Sequence, residues 1–151
     1  MTAKLPVEDR LDILELYARY GDAEDEGDVE ALLATFTSLG VLEDSIGLFS
    51  GQAELRQSFQ GRIAMLRSKR HLTFNHVITA EDDPESATVE CRYLLVEAER
   101  APALVDVGTY VDQLRKIEGE WKFVHRKVKR RPVPGVQPVV APPPPHRGRR
   151  R

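Results

Sequence analysis

Cysteine is almost missing from this chain. Cys91 is the sole example in 151 residues, so no disulfide can form within the chain and cysteine-rich zinc sites are excluded. Long apolar runs are missing too, since no stretch reaches the roughly 20 residues that a membrane-spanning helix needs. The opening residues, MTAKLPVEDR, lack the apolar core of a secretion signal. These absences make a cytoplasmic protein the expectation. No glycine-rich phosphate loop, G-x-S-x-G elbow or H-E-x-x-H helix occurs. No cofactor is therefore expected, and any chemistry falls to proton transfer by side chains.

Acidic residues are missing from one end. All 24 lie at or before Glu120, while residues 126–151 hold 9 of the 22 Lys and Arg residues. Residues 1–125 thus set 13 bases against 24 acids, a formal −11, and the remainder carries +9. An acidic body is followed by a basic tail. The stretch RPVPGVQPVVAPPPPHRGRRR contains seven of the ten prolines and no apolar periodicity. The expectation is one domain over residues 1–131 and a disordered Pro/Arg-rich tail over 132–151. Clustered arginines can neutralise the phosphates of nucleic acid or an anionic surface. The tail has no aromatic residue on which bases would stack, so a solvated tail is the favoured reading.

What is present describes a soluble α+β domain with a core of its own. Pro6, Glu8 and Asp9 suit a helix start, and Val7, Leu11, Leu14 and Ala18 recur as a buried helical stripe would. A short second helix follows Gly27, with Asp28 as N-cap and Val29, Leu32, Leu33 and Phe36 on one face. The pieces VLED and GLFS read as extended, and Ser50 is placed to cap a third helix burying Leu55, Phe59, Ile63 and Leu66. The period then changes to two. RHLTFNHVITA, ATVECRYLLVEA, VDVGTYVDQLRKI and WKFVHRKVKR read as strands, with turns at EDDPES and EGE. Helices first and strands after predict a curved, mostly antiparallel sheet roofed by three N-terminal helices, enclosing a pocket.

The stretch GDAEDEGD places five carboxylates within seven residues. Asp22 and Glu26 continue the polar face of the first helix, and Glu24 falls on a flank with Ile13, Tyr17 and Tyr20. Asp25 extends the stripe Val7, Leu11, Leu14, Ala18, Gly21. A buried carboxylate is costly unless paired, so Asp25 needs a partner or a purpose. A calcium loop starting at Asp22 would require a bidentate carboxylate where Leu33 stands, which excludes it.

Four stretches, YGDAEDEGDVEALLATF, GLFSGQAELRQSF, RHLTFNHV and GTYVDQLRKIEGEWKFVHRKV, together resemble the SnoaL-like branch of the nuclear transport factor 2-like superfamily, over residues 8–130. The resemblance implies a cone-like fold with an internal pocket, often homodimeric through the outer sheet face. Members include polyketide cyclases, scytalone-type dehydratases and isomerases, but also dioxygenase small subunits and proteins that only bind. In the dehydratase-like members, an Asp and a His matching Asp25 and His71 form an acid/base pair. Their second His has Ala98 as its nearest counterpart here. Cyclase members use a carboxylate further along the sheet, for which Asp106 and Asp112 are candidates.

His71 suits proton transfer because an imidazole titrates near neutrality. Strict alternation puts His71, Thr73 and Asn75 on one strand face and His76 on the other, so Asn75 is expected in the pocket and His76 in a packing surface. His125 alternates with Trp121 and Phe123 and is placed to reach the pocket. Tyr17 and Tyr20 flank the Asp25 stripe, where they either pack in the core or hydrogen-bond a substrate oxygen. Tyr110 and Asp112 share a face and read as structural. A His71–His76 metal site lacks carboxylate support, so no metal is expected. The sequence thus suggests a cofactor-free lyase, isomerase or cyclase acting on an apolar small molecule with a carbonyl or hydroxyl. Asp25 and His71 would be catalytic, and Tyr20, Asn75 and His125 would bind substrate. The alternative is a module of the same fold that binds a small molecule or assembles without turnover.

Overall fold

A computed structural model describes residues 4–131 and 133–135. Pro6 precedes the first helix, α1 (Val7–Glu26), where a missing N–H costs nothing, and Glu8 and Asp9 occupy its positive end. The helix runs through GDAEDE and ends at Gly27, whose φ of 70° is the left-handed conformation that glycine adopts without strain. Asp22, Glu24 and Glu26 are therefore helical residues.

The buried stripe of α1 differs from the expected one. Ile13, Leu16, Tyr17, Tyr20, Ala23 and Glu24 are buried, while Val7, Leu11 and Leu14 are 66, 56 and 39 % exposed. Both sets have helical spacing. The set holding two tyrosines faces the sheet because large rings bury the most apolar area. Glu24 therefore lies on the inward face rather than on a flank.

Asp28 caps α2 (Val29–Ala34), its side chain accepting the Ala31 N–H at 3.0 Å. Phe36, expected on that helix, instead opens strand β1 (Phe36–Glu43). The short β2 (Leu48–Ser50) leads into α3 (Gly51–Leu66). Ser50 occupies the N-cap position without a side-chain cap bond. The Glu54 carboxylate, one position past the N3 site of a capping box, accepts the Ser50 N–H at 2.7 Å. Leu55, Phe59 and Leu66 are buried under α3, and Ile63 is half-buried.

The four later strands form as expected: β3 (Lys69–Ala80), β4 (Ser86–Glu97), β5 (Ala103–Ile117) and β6 (Glu120–Arg131). The sheet order is β2-β1-β6-β5-β4-β3, antiparallel throughout except for the parallel β1–β6 pair. The helices cover one face, enclosing a core around Tyr17, Phe36, Phe59, Trp121 and Phe123. Among the described residues no helix is long and apolar enough to cross a membrane.

Four strand pairs shift register, and the shifts in β3–β4 and β5–β6 reverse the alternation of the residues expected at the site. The β3–β4 register shifts between Phe74 and Val77, with Asn75 at φ 55°. The β5–β6 register shifts so that Leu114 faces Phe123 while Gln113 faces His125. Every side chain beyond a bulge changes face relative to strict alternation. The tail expected over residues 132–151 lies, apart from 133–135, outside the described residues.

Candidate functional site

The last turn of α1 lies over the start of β3, bringing the acids of GDAEDEGD to His71. Both Asp25 carboxylate oxygens accept the His71 backbone N–H, each at 3.1 Å, and Oδ1 lies 2.7 Å from Nδ1. An ionised carboxylate only accepts, so Nδ1 carries the proton toward Asp25. That leaves Nε2 as the working nitrogen.

Nε2 lies 3.3 Å from Glu24 Oε2, within ion-pair distance. The two are not aligned as a hydrogen bond, and Oε2 is a buried oxygen without a hydrogen-bond partner. The side chains of Glu24, Asp25 and His71 are each less than a tenth exposed. Burial alone would push the imidazolium pKa down, but the Glu24 charge and the Asp25 hydrogen bond and charge outweigh it. The His71 pKa is raised as a result, with Arg126 opposing part of the rise.

Glu24 and His71 border a cavity with about 80 Å³ of space for the centre of a water-sized sphere. That is several times the roughly 10–15 Å³ one water needs by the same measure. Tyr20, Tyr93, Tyr110 and Leu95 supply apolar wall. The cavity is not otherwise apolar, because two ion pairs also line it: Arg62 with Asp44, and Arg130 Nε with Asp106 Oδ2 at 2.9 Å. Tyr93 donates to the same Asp106 oxygen at 3.3 Å.

Behind this wall lies a buried cation that sequence reasoning missed. The Arg126 guanidinium stacks near the rings of Tyr110, Tyr20, Phe123 and Tyr17, at 3.9, 4.2, 4.2 and 4.9 Å from their centroids. It binds Asp112 through two hydrogen bonds, and Tyr17 also donates to Asp112.

Of the expected residues, His71 and Tyr20 line the cavity, Asp25 is linked to it only through its contacts with His71, and Asn75 and His125 lie away from it. Asn75 sits on its bulge exposed to solvent, because its left-handed backbone turns the side chain outward. The same bulge turns His76 inward, where its ring lies 4.8 Å from that of Tyr17. His125 is carried to the opposite face of β6, its Nε2 2.9 Å from Glu43. Asp106 borders the cavity but is held by Arg130, and Asp112 is committed to Arg126. Glu24 was the other omission. The inward series Ile13, Tyr17, Tyr20, Glu24 was its available signal. Among the described residues no group of three or more His, Cys, Asp or Glu side chains is arranged to hold a metal.

A cone of this topology with its cavity under the helices defines the nuclear transport factor 2-like class. Within that class, the chain belongs to the SnoaL-like domain family, which matches residues 6–127. No curated protein matches the chain. Among solved structures it is similar to a protein of unknown function with a cystatin-like fold from Nostoc punctiforme. The two are 34 % identical with a TM-score of 0.81, covering 89 % of this chain and 98 % of that one. A protein of unknown function from Mycobacterium tuberculosis shares 27 % identity at a TM-score of 0.75, covering 85 % and 77 %. A scytalone dehydratase-like protein from Novosphingobium aromaticivorans shares the fold at 21 % identity and a TM-score of 0.72, covering 88 % and 94 %.

Proposed function

We propose that this protein is an acid/base catalyst of the lyase, isomerase or cyclase kind, moving a proton on a small molecule that bears a carbonyl or hydroxyl. The supporting observation is His71, which lines the cavity and is fixed through Nδ1 by Asp25, leaving Nε2 for chemistry. Asp25 selects the tautomer and stabilises the imidazolium that forms when Nε2 takes a proton. A pKa raised from the usual 6.5 moves His71 toward neutrality, where a proton carrier works best. The dehydratase-like neighbour supports this reading through the shared fold alone.

The test compares wild type, Asp25→Asn and His71→Ala for dehydration of a benzylic β-hydroxy ketone, followed by the absorbance of the conjugated enone. Each substitution is expected to cost about 10²- to 10⁴-fold in rate. Equal rates in all three proteins would remove the pair from the chemistry.

A second reading, ligand binding without turnover, draws on the Arg62–Asp44 and Arg130–Asp106 pairs, which line the cavity with fixed charges. Binding that raises the thermal midpoint with no product formed would favour it. For either reading we place a homodimer interface on the outer sheet face, where Leu72, Phe74 and Val77 are exposed. A monomer in sedimentation equilibrium at micromolar concentration would remove that interface.

A further inference from the structure

We infer that Glu24 is a second proton-transfer group, paired with His71, and that the two act on a neutral carbonyl compound bearing a hydrogen on the adjacent carbon. The inference rests on the Asp25–His71 reading above and adds to it. Four acids are buried among the described residues: Asp9, Glu24, Asp106 and Asp112. Asp9 is held by Lys116 and Trp121, Asp106 by Arg130 and Tyr93, and Asp112 by Arg126 and Tyr17. Glu24 differs. Its side chain is 8 % exposed and lines the cavity, yet Oε2 has no hydrogen-bond donor. Leaving a buried carboxylate oxygen unsatisfied is costly, and sites of function are where such a cost is retained.

The neighbouring Nε2, 3.3 Å away and out of line, does not consume that acceptor. A proton donor and a proton acceptor therefore stand side by side on one wall, as do a carbonyl oxygen and the hydrogen on its α-carbon. The Glu24 carboxylate takes the α-hydrogen as a proton, and the C–H electron pair forms the enol double bond. The carbonyl oxygen takes the Nε2 proton, leaving neutral His71 with Nδ1–H on Asp25. If the β-carbon bears a hydroxyl, the enol collapses and the C–O bond breaks. The hydroxyl leaves with the Glu24 proton as water, and the enol proton returns to Nε2. Without that hydroxyl, Glu24 returns its proton to carbon on the same face. Imidazolium between two carboxylates leaves a net negative end to the site, which repels an anionic ligand and selects a neutral one.

The test uses the full-length protein and β-tetralone in deuterium oxide, with NMR reading hydrogen exchange at the benzylic α-carbon. Wild type is expected to exchange one of the two hydrogens faster than buffer. Glu24→Gln, which keeps the shape, should lose about 10²-fold or more of that exchange, and Glu24→Asp should recover part of it. In Glu24→Gln the His71 pKa should also fall. Exchange at the wild-type rate in Glu24→Gln but lost in His71→Ala would overturn the role of Glu24 and leave the Asp25–His71 pair standing. Exchange retained in both variants would overturn both readings. Absence of one-faced exchange in wild type would overturn the carbon-acid assignment itself.

Discussion

Arg126 and Asp112 stand opposite one another on β6 and β5, joined by Nε–Oδ1 at 3.1 Å and Nη2–Oδ2 at 3.0 Å, with neither side chain reached by solvent. Removing one member of such a pair strands a charge in the core, at a cost of about 3–5 kcal/mol. Asp112→Asn and Arg126→Met should each lower stability by that order in urea unfolding. The double variant should be more stable than the sum of the two losses implies. Arg126 also opposes protonation of His71, so Arg126→Met should raise the His71 pKa. Single variants that unfold at the wild-type midpoint would show that the pair contributes nothing.

Asn75 should respond to substitution as a backbone position rather than a binding one. At φ 55° it holds a conformation that costs ordinary L-residues about 1–2 kcal/mol and glycine almost nothing. Asn75→Gly is expected to leave the unfolding midpoint near wild type, and Asn75→Val to lower stability by about 1–2 kcal/mol. Neither should change turnover. A loss of activity in Asn75→Gly with stability intact would return the residue to the site.

Much of this fold was legible in the sequence, and the failures have two physical causes. The four long strands and the Asp28 cap follow from local patterns that the tertiary structure leaves intact, whereas the Asp25–His71 contact was implied by the family resemblance, since the stripe on which Asp25 was placed is exposed. The inward face of α1 was misread because two stripes share helical spacing, and which one faces the sheet is decided by what packs there. That error hid Glu24. Asn75, His76 and His125 were misplaced by two bulges, each adding one residue and reversing the alternation beyond it. Asn in a strand is a weak sign of such a bulge, since it tolerates positive φ better than most residues. Nothing in WKFVHRKV marks the second, which also turns Arg126 into the core.

Residues 132–151 should contribute nothing to the stability of the domain. Seven prolines and no apolar periodicity give the segment little to bury. A chain ending at Arg131 is expected to melt at the same temperature as the full-length protein. A fall of many degrees would show that the basic tail docks on the acidic body.

The two inward histidines should tilt stability in opposite directions with pH. The His71 pKa is raised because Glu24 and Asp25 outweigh its burial, whereas burial, then the Arg126 charge, lower that of His76. Both start from an unfolded value near 6.5. A raised folded pKa gives stability that is fully present below the unfolded value and lost as pH rises through the folded one. A lowered pKa gives stability present above the unfolded value and lost as pH falls through the folded one. The histidine contribution should therefore peak near pH 6.5 and fall on both sides. Asp25→Asn should flatten the alkaline arm only in part, because Glu24 remains. His76→Phe, whose ring needs no partner where Nε2 now has none, should remove the acidic arm. NMR titration of both imidazoles in each variant checks the assignment. A His71 pKa unchanged by Asp25→Asn would show that the carboxylate 2.7 Å from Nδ1 does not hold the imidazolium, and the proposed division of labour between Asp25 and His71 would fail with it.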